Sequence, residues 1–309
     1  MIFSQKKLPT IHFYQPTALV RITGEDAFNF LQGQFTNDLR HAEGSVTYGL
    51  WLNQKGKVMA DSQVLKLAEN EFLLFSTTSA ASEIVNRLEK FIIADDVFLE
   101  NEAEKYRGVS LWGQASGEKL SAMLNVLPAA GQFERIEEAV VFNGRRTAGE
   151  NYEIVGSESQ VENWQTKLRQ EGCHTVNSDA AELARISSGI PSIPHDIGPA
   201  DLPNEAGLEA EAISFTKGCY LGQEIMARLK NLGQVRRQLR SVHGTGAPPK
   251  TGTVIFQREK RVGEIRTAVS NGDGFTAMAM VTRMGLDPDV GFSFEPTDGT
   301  DHKTTVWTS

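Results

Sequence analysis

Ser214-Phe215-Thr216-Lys217-Gly218-Cys219-Tyr220-Leu221-Gly222-Gln223-Glu224-Ile225-Met226-Ala227-Arg228-Leu229-Lys230-Asn231-Leu232-Gly233 is the stretch from which the rest of this chain can be read. It holds one of only two cysteines, with Lys217 two residues before the thiol. After Gly222 the apolar spacing turns helical. Ile225, Met226, Leu229 and Leu232 share one face, and Gly233 reads as the stop. A thiol near a helix N-terminus and beside an ammonium is expected to be unusually acidic, because both favour the thiolate. Gly218 and Gly222 permit a tight turn or a close backbone approach. Glu224 and Arg228 stand four apart, the spacing of a helical ion pair. The plainer reading makes Cys219 a small buried residue in a tight loop, with Lys217 and Glu224 solvated. The residues alone leave both readings open.

The twelve positions K-G-C-Y-L-G-Q-E-I-x-A-R, Lys217 to Arg228, resemble the signature of the YgfZ family, the folate-binding relatives of the glycine-cleavage T-protein. G-E-D-A-F-N-F-L-Q-G-Q-F-T-N-D, Gly24 to Asp38, resembles the opening motif of that family. R-I-S-S-G-I-P from Arg185 and L-P-N-E-A from Leu202 resemble it again, with Arg185 and Glu205 at matching positions. The chain also departs from its relatives. Of the aspartate pair that serves folate chemistry in the T-protein, only Asp61 is present, and Ala60 takes the other place. Ser187 stands where the T-protein glutamate grips the pterin. Thr17 and Ala181 stand where some family members carry tryptophans. By itself, a lone aspartate in a strand such as Asp61 is expected to face solvent.

The chain's 309 residues suffice for two or three domains. Hydrophobic residues at 40% and charged residues at 23% match a globular protein. No apolar run approaches the roughly 18 residues of a membrane span, and the N-terminus reads as lacking a signal peptide. A cytoplasmic location is expected. Cys173 and Cys219 lie far apart, so the spacing argues for a reducing compartment and against a complete metal site. No permanent metal is expected. The net charge of −8 argues against general coating of nucleic acid. Arg228 to Arg240 nevertheless carries Arg228, Lys230, Arg236, Arg237 and Arg240 and no acid. That run reads as a basic domain edge or, more sharply, as a docking patch for a carboxylate, a phosphate or RNA.

Taken in order, the pattern predicts an α+β fold. Thr17–Ile22 is a strand followed by a helix from Ala27. Tyr48–Leu52 and Val58–Leu67 form a hairpin about the turn Asn53–Gly56. Glu71–Ser76, a helix over Ala80–Phe91 and a short strand Val97–Leu99 follow. A strand at Val109–Leu111, a helix through Leu120, a hairpin of Ala139–Phe142 with Tyr152–Val155, and a helix Val161–Arg169 then mirror this order. Two pseudo-duplicated antiparallel sheet/helix units, about 15–100 and 105–178, are expected to flank a ligand cleft. A connecting segment, 179–233, includes a helix over Ala180–Ser187. Residues 234–309 read as five short strands, Val235–Val242, Thr253–Phe256, Val262–Ala268, Phe275–Val281 and Thr304–Trp307, in a small β-barrel or sandwich. The resemblance implies the same arrangement, a T-protein-like folate-binding region over 1–233 followed by a barrel.

The resemblance also implies a function: a folate-binding accessory protein that supports iron–sulfur enzymes, including those that modify tRNA. Its cofactor would be tetrahydrofolate or a derivative, and its partners iron–sulfur client or assembly proteins. Cys219 would act as a nucleophile or a temporary cluster ligand, with Lys217 holding the thiolate. Asp61, Arg185, Glu205, Tyr220, Gln223, Glu224 and Arg228 would bind the cofactor or orient its loop. The second reading is an aminomethyltransferase that uses tetrahydrofolate. The third is direct tRNA binding through Arg228–Arg240.

Overall fold

The computed structural model describes residues 9–232, 235–287, 289–297 and 306–307. Among the described residues the first element is β1 (Thr10–Tyr14), and a first unit follows from β2 (Ala18–Thr23), α1 (Ala27–Gln34), β3 (Val46–Leu52), β4 (Val58–Ala68), β5 (Glu71–Ser76), α2 (Ala81–Glu89) and β6 (Phe98–Asn101). The five strands β2 to β6 form an antiparallel sheet in the order β3-β4-β5-β2-β6. Gly24 turns β2 towards α1 with φ near +124°, and a Cβ there would lie 2.0 Å from the carbonyl oxygen of Asp96. Only glycine suits that crossing.

The second unit repeats the order with β7 (Tyr106–Trp112), α3 (Ser116–Leu124), β8 (Phe133–Ile136), β9 (Ala139–Asn143), β10 (Asn151–Ser157), α4 (Glu158–Gln170) and β11 (His174–Thr175). Its sheet runs β11-β1-β7-β10-β9-β8. Strand for strand, β8-β9-β10-β7 repeats β3-β4-β5-β2, so the expected duplication is present. Two details differ from the sequence reading. The hairpin β9–β10 is the counterpart of β4–β5, not of β3–β4, because the short strand β8 was not read. In addition, β1 crosses into the second sheet, where it pairs antiparallel with β7 and parallel with β11. The helix α4 begins with a capping box, in which Ser157 and Gln160 satisfy each other's backbone amides.

Three apolar clusters set the layering. Ala27, Phe30 and Leu31 of α1 and Ile84 and Leu88 of α2 pack on one face of the first sheet. Leu120 of α3 and Val161, Trp164 and Leu168 of α4 pack on one face of the second. Leu65, Leu73 and Phe75 from the first sheet meet Val140, Phe142 and Val155 from the second. The result is helix, sheet, sheet, helix, with the two sheets face to face.

The connecting segment contains α5 (Ser178–Ser187), a 3₁₀ turn at Pro203–Ala206, α6 (Glu209–Ala212) and α7 (Gln223–Leu232). Its apolar residues Ile193, Ile197, Leu208, Ile213, Tyr220 and Met226 cover Leu50, Leu52 and Val58 of the β3–β4 hairpin. The C-terminal strands are β12 (Arg237–Thr245), β13 (Val254–Gln257), β14 (Lys260–Asn271), β15 (Gly274–Thr282) and β16 (Val306–Trp307), in the order β13-β14-β15-β12-β16. This antiparallel sheet encloses its own core of Val242, Ile255, Ile265 and Phe275, forming a barrel-like unit. Residues 304–305 of the last expected strand, and the helix stop expected at Gly233, lie outside the described residues. Among the described residues no helix is long and apolar enough to cross a membrane.

Candidate functional site

The two units meet at a polar cleft lined by β3, β4, the β9–β10 turn, β10 and α5. Asp61 sits in β4 and is 6% exposed, so the expectation of a solvent-facing strand residue is overturned. Both faces of β4 are covered, one by helices and one by the cleft, which leaves no wet side for it. Hydroxyl groups surround the carboxylate. Ser79 Oγ donates to Oδ1 at 2.6 Å, Ser76 Oγ donates to Oδ1 at 3.1 Å, and Tyr48 OH donates to Oδ2 at 3.1 Å. A buried carboxylate needs such donors, since an unpaired one is costly. Burial pushes the Tyr48 phenol well above its ordinary pKa, so it remains a donor. The Arg145 guanidinium lies 3.4 Å from the centre of the Tyr48 ring and pairs with Glu211 of α6.

Across the cleft a second carboxylate is buried. Glu153 of β10 is 1% exposed and accepts from Tyr14 OH at 2.5 Å and Ser110 Oγ at 2.7 Å. Arg146 Nε lies 3.7 Å from its other oxygen. Burial pushes the Glu153 carboxyl up, and Arg146 opposes that shift. Arg145 and Arg146 both line the cleft, whose cavity of about 30 Å³ is enough for a water molecule.

The Lys217–Arg228 motif is tied to the opening motif of the first unit. Lys217 is 5% exposed, and its Nζ donates to the carbonyl oxygens of Phe35 (2.7 Å) and Asn37 (2.8 Å). These carbonyls lie just past the C-terminus of α1, where the helix leaves acceptors unpaired. The Leu221 amide donates to Gly33 O at 3.1 Å, and the Ser214 amide to Thr36 O at 3.0 Å. Thr36 Oγ1 donates to Ala212 O at 2.7 Å and accepts from the Leu50 amide at 2.8 Å. Asn37 Nδ2 donates to Tyr48 O and Glu211 O, each at 2.9 Å. Two stretches about 180 residues apart in the chain thus form one clasp.

This geometry corrects several expectations. Cys219 is exposed rather than buried in its loop. It precedes the first residue of α7 by four positions, so it does not occupy the first turn. Lys217 spends its donors on backbone carbonyls and is not solvated. Glu224 and Arg228 are both exposed on α7, and among the described residues no ion pair joins them. Tyr220 is buried, and its hydroxyl has no partner among the described residues; burial pushes its phenol up to about 12. Gln223 opens α7 and is half-buried. Gly222 holds φ near +87°, and a Cβ there would lie 2.9 Å from Asn53 O of the β3–β4 turn, so glycine lets the loop pass close to that turn.

Arg185 and Glu205 are both buried, but they serve different contacts. Arg185 borders the cleft and is engaged by Asp196 and Glu182. Glu205 accepts from Arg237 Nε at 2.9 Å and fastens the connecting segment to β12, away from the cleft lining. The same contact uses Arg237 of the basic run, so its charge is neutralised within the chain rather than offered to a phosphate. Lys230 lies 4.2 Å from the Phe215 ring.

The sequence reading missed Tyr48, Arg145, Arg146 and Glu153. Two signals were available. Gly144-Arg145-Arg146 puts paired cations on a hairpin turn, and Glu153 is the one acid in the otherwise apolar stretch of β10. Among the described residues no group of three or more His, Cys, Asp or Glu side chains is placed to hold a metal ion.

A duplicated α+β body with a face-to-face pair of sheets and a C-terminal β unit defines the aminomethyltransferase type of fold. The crystal structure of glycine cleavage system aminomethyltransferase T from Bartonella henselae shares it with a TM-score of 0.77, covering 92% of this chain and 81% of that one at 20% identity. The GCVT N-terminal domain description matches residues 15–217, and the chain belongs to that family. The tRNA-modifying protein YgfZ of Escherichia coli (strain K12) is 27% identical over 286 residues, 88% of this chain and 85% of that protein. An aminomethyltransferase of Lysinibacillus sphaericus (strain C3-41) is 23% identical over 261 residues, 80% of this chain and 71% of that protein. The resemblance read from the three motifs is borne out.

Proposed function

We propose that this chain is a cytoplasmic folate-binding accessory protein that supports the assembly or repair of iron–sulfur enzymes, including those that modify tRNA. The observation that carries the folate part is the inter-unit cleft, where Asp61 is held as an acceptor by three hydroxyls. A pterin presents N–H donors that such a carboxylate accepts, and its glutamate tail presents carboxylates that would compete with Glu211 and Glu153 for Arg145 and Arg146. The residues suit the ligand chemically. The cavity, about 30 Å³, is smaller than a pterin, so binding requires side chains of the lining to move. The iron–sulfur part is supported by the similarity to a tRNA-modifying protein and by the exposed Cys219 thiol. That thiol would serve as a nucleophile or as one temporary ligand shared with a client protein.

Calorimetric titration with tetrahydrofolate under anaerobic conditions tests the first part. Micromolar binding is expected, and Asp61→Asn should weaken it by about tenfold or more, the value of a hydrogen bond to a charged acceptor. No saturable heat would remove folate from the proposal. Cys219→Ala tests the second part. It should impair a [4Fe–4S] reporter enzyme in cells while leaving the melting temperature unchanged, since an exposed side chain contributes little to stability. Full reporter activity would exclude the thiol from the mechanism. The aminomethyltransferase reading draws on the Lysinibacillus relative and on Asp61. Turnover with a lipoyl carrier protein would favour it. Ala60 and the exposed Ser187 speak against it, since both of the other T-protein acids are missing.

A further inference from the structure

A second cavity, of about 410 Å³, lies between the β3–β4 turn, α2 and Leu221, and shares no lining residue with the inter-unit cleft. Its size falls in the range of small-molecule sites, roughly 300–1,000 Å³. Arg87 of α2 lies in its wall and is 8% exposed. Its Nε and Nη2 donate to Leu52 O at 3.0 and 2.8 Å, and its Nη1 donates to Gln34 Oε1 at 3.2 Å. The Trp51 and Phe91 rings flank it, centred 5.6 and 5.7 Å away. Among the described residues no carboxylate pairs with it. Burial without a counter-ion pushes this guanidinium down to about 10. Each guanidinium nitrogen has an acceptor, but the positive charge is not neutralised. Lys55 and Lys90 are exposed at the same cavity, and among the described residues Glu83 is the one acid lining it. Met59, Phe91 and Leu221 supply apolar surface.

We propose that this cavity binds an amphiphilic organic anion, with its apolar body against Met59, Phe91 and Leu221 and its acidic group towards Lys55 and Lys90. The uncompensated charge of Arg87 gives the pocket a standing positive field, which a low-dielectric wall strengthens. The apolar lining adds the burial term that a bare inorganic ion would not gain. Leu221 stands two residues after Cys219, so the cavity borders the loop that carries the exposed thiol. The assignment stands whether or not the inter-unit cleft binds folate.

The probe is 8-anilino-1-naphthalenesulfonate, titrated into the folded full chain by calorimetry and by fluorescence. One saturable site is expected, weakening as salt is raised. Lys90→Glu and Lys55→Glu, both at exposed positions, should each lower affinity by about tenfold, equivalent to about 1.4 kcal/mol. Met59→Trp should block binding by filling the cavity. Asp61→Asn in the other cleft should change nothing. The proposal is overturned if no saturable binding occurs, if neither lysine variant changes the affinity, or if Asp61→Asn removes the binding. Should Met59→Trp fail to fold, the two surface lysine variants still decide the outcome.

Discussion

Arg185→Met is expected to lower the free energy of unfolding by roughly 3–5 kcal/mol, the cost of breaking a buried ion pair by removing one partner. The reason lies in Asp196, which is fully buried. Its Oδ2 accepts from Arg185 Nη1 at 2.7 Å and from the Ser192 amide at 2.8 Å. Its Oδ1 accepts from Thr267 Oγ1 at 2.5 Å, on β14 of the C-terminal unit. Arg185 also donates to the Ile190 carbonyl and, through Nε, to Glu182 at 2.8 Å. Methionine keeps most of the stem volume but leaves a carboxylate in the interior with two neutral donors. Denaturant unfolding should show a reduced midpoint. A double variant, Arg185→Met with Asp196→Asn, should recover a large part of the loss because the stranded charge is gone. If the double variant is no better than the single one, the ion pair is not what holds this junction. Recovery would also show that Arg185 acts mainly as a structural tie between the cleft and the C-terminal unit.

Lys217→Met is expected to cost about 2–4 kcal/mol, since two charge-assisted hydrogen bonds to partly buried carbonyls are lost and Phe35 O is left without that donor. This variant separates two roles for the lysine beside Cys219. A lysine that only tuned the thiol would leave stability unchanged when removed. A lysine that closes the clasp between the two motifs would not. The pH dependence sharpens the distinction. Burial lowers the ammonium to about 8 from an ordinary 10.5, opposed by the Asp38 carboxylate and assisted by Arg40. Between those values the folded chain holds fewer protons at this site than the unfolded chain. Stability from this group therefore rises as pH climbs from about 8 to 10.5, and the variant lacks that gain. The gap in unfolding free energy between the wild type and Lys217→Met should widen across that window. A gap that stays flat or narrows would mean that the amine is not buried as the structure shows.

These two results concern residues first singled out as site residues, and they show where sequence reading stops. The Lys217–Arg228 stretch and the Gly24–Asp38 stretch were each legible as motifs. Their mutual contact was not, because chain neighbours say nothing about a hydrogen bond spanning 182 positions. Asp61 was legible as a candidate but misread as solvent-facing. Alternation marks which strand residues share a face, and it does not reveal that helices will cover one face while a second sheet and a connecting segment cover the other. The two carboxylates of the cleft, Asp61 and Glu153, come from different units and have no common sequence pattern. The hairpin equivalence slipped for a similar reason. Residues 133–136 form a strand too short to announce itself, and only its pairing with β9 makes β8 visible.

The sequence by itself determined the family, the duplicated α+β order and the C-terminal β unit. Those features rest on local patterns, namely helical spacing, glycine-bounded strands and a dense run of unusual residues around Cys219. The tertiary structure decided what the charged groups do. It turned Lys217 towards the carbonyls of Phe35 and Asn37, paired Arg185 with Asp196, joined Glu205 to Arg237, and brought Asp61, Glu153 and two arginines to one cleft. A buried charge takes whichever partner the packing of distant segments brings within reach, and those distances exist only in the folded chain.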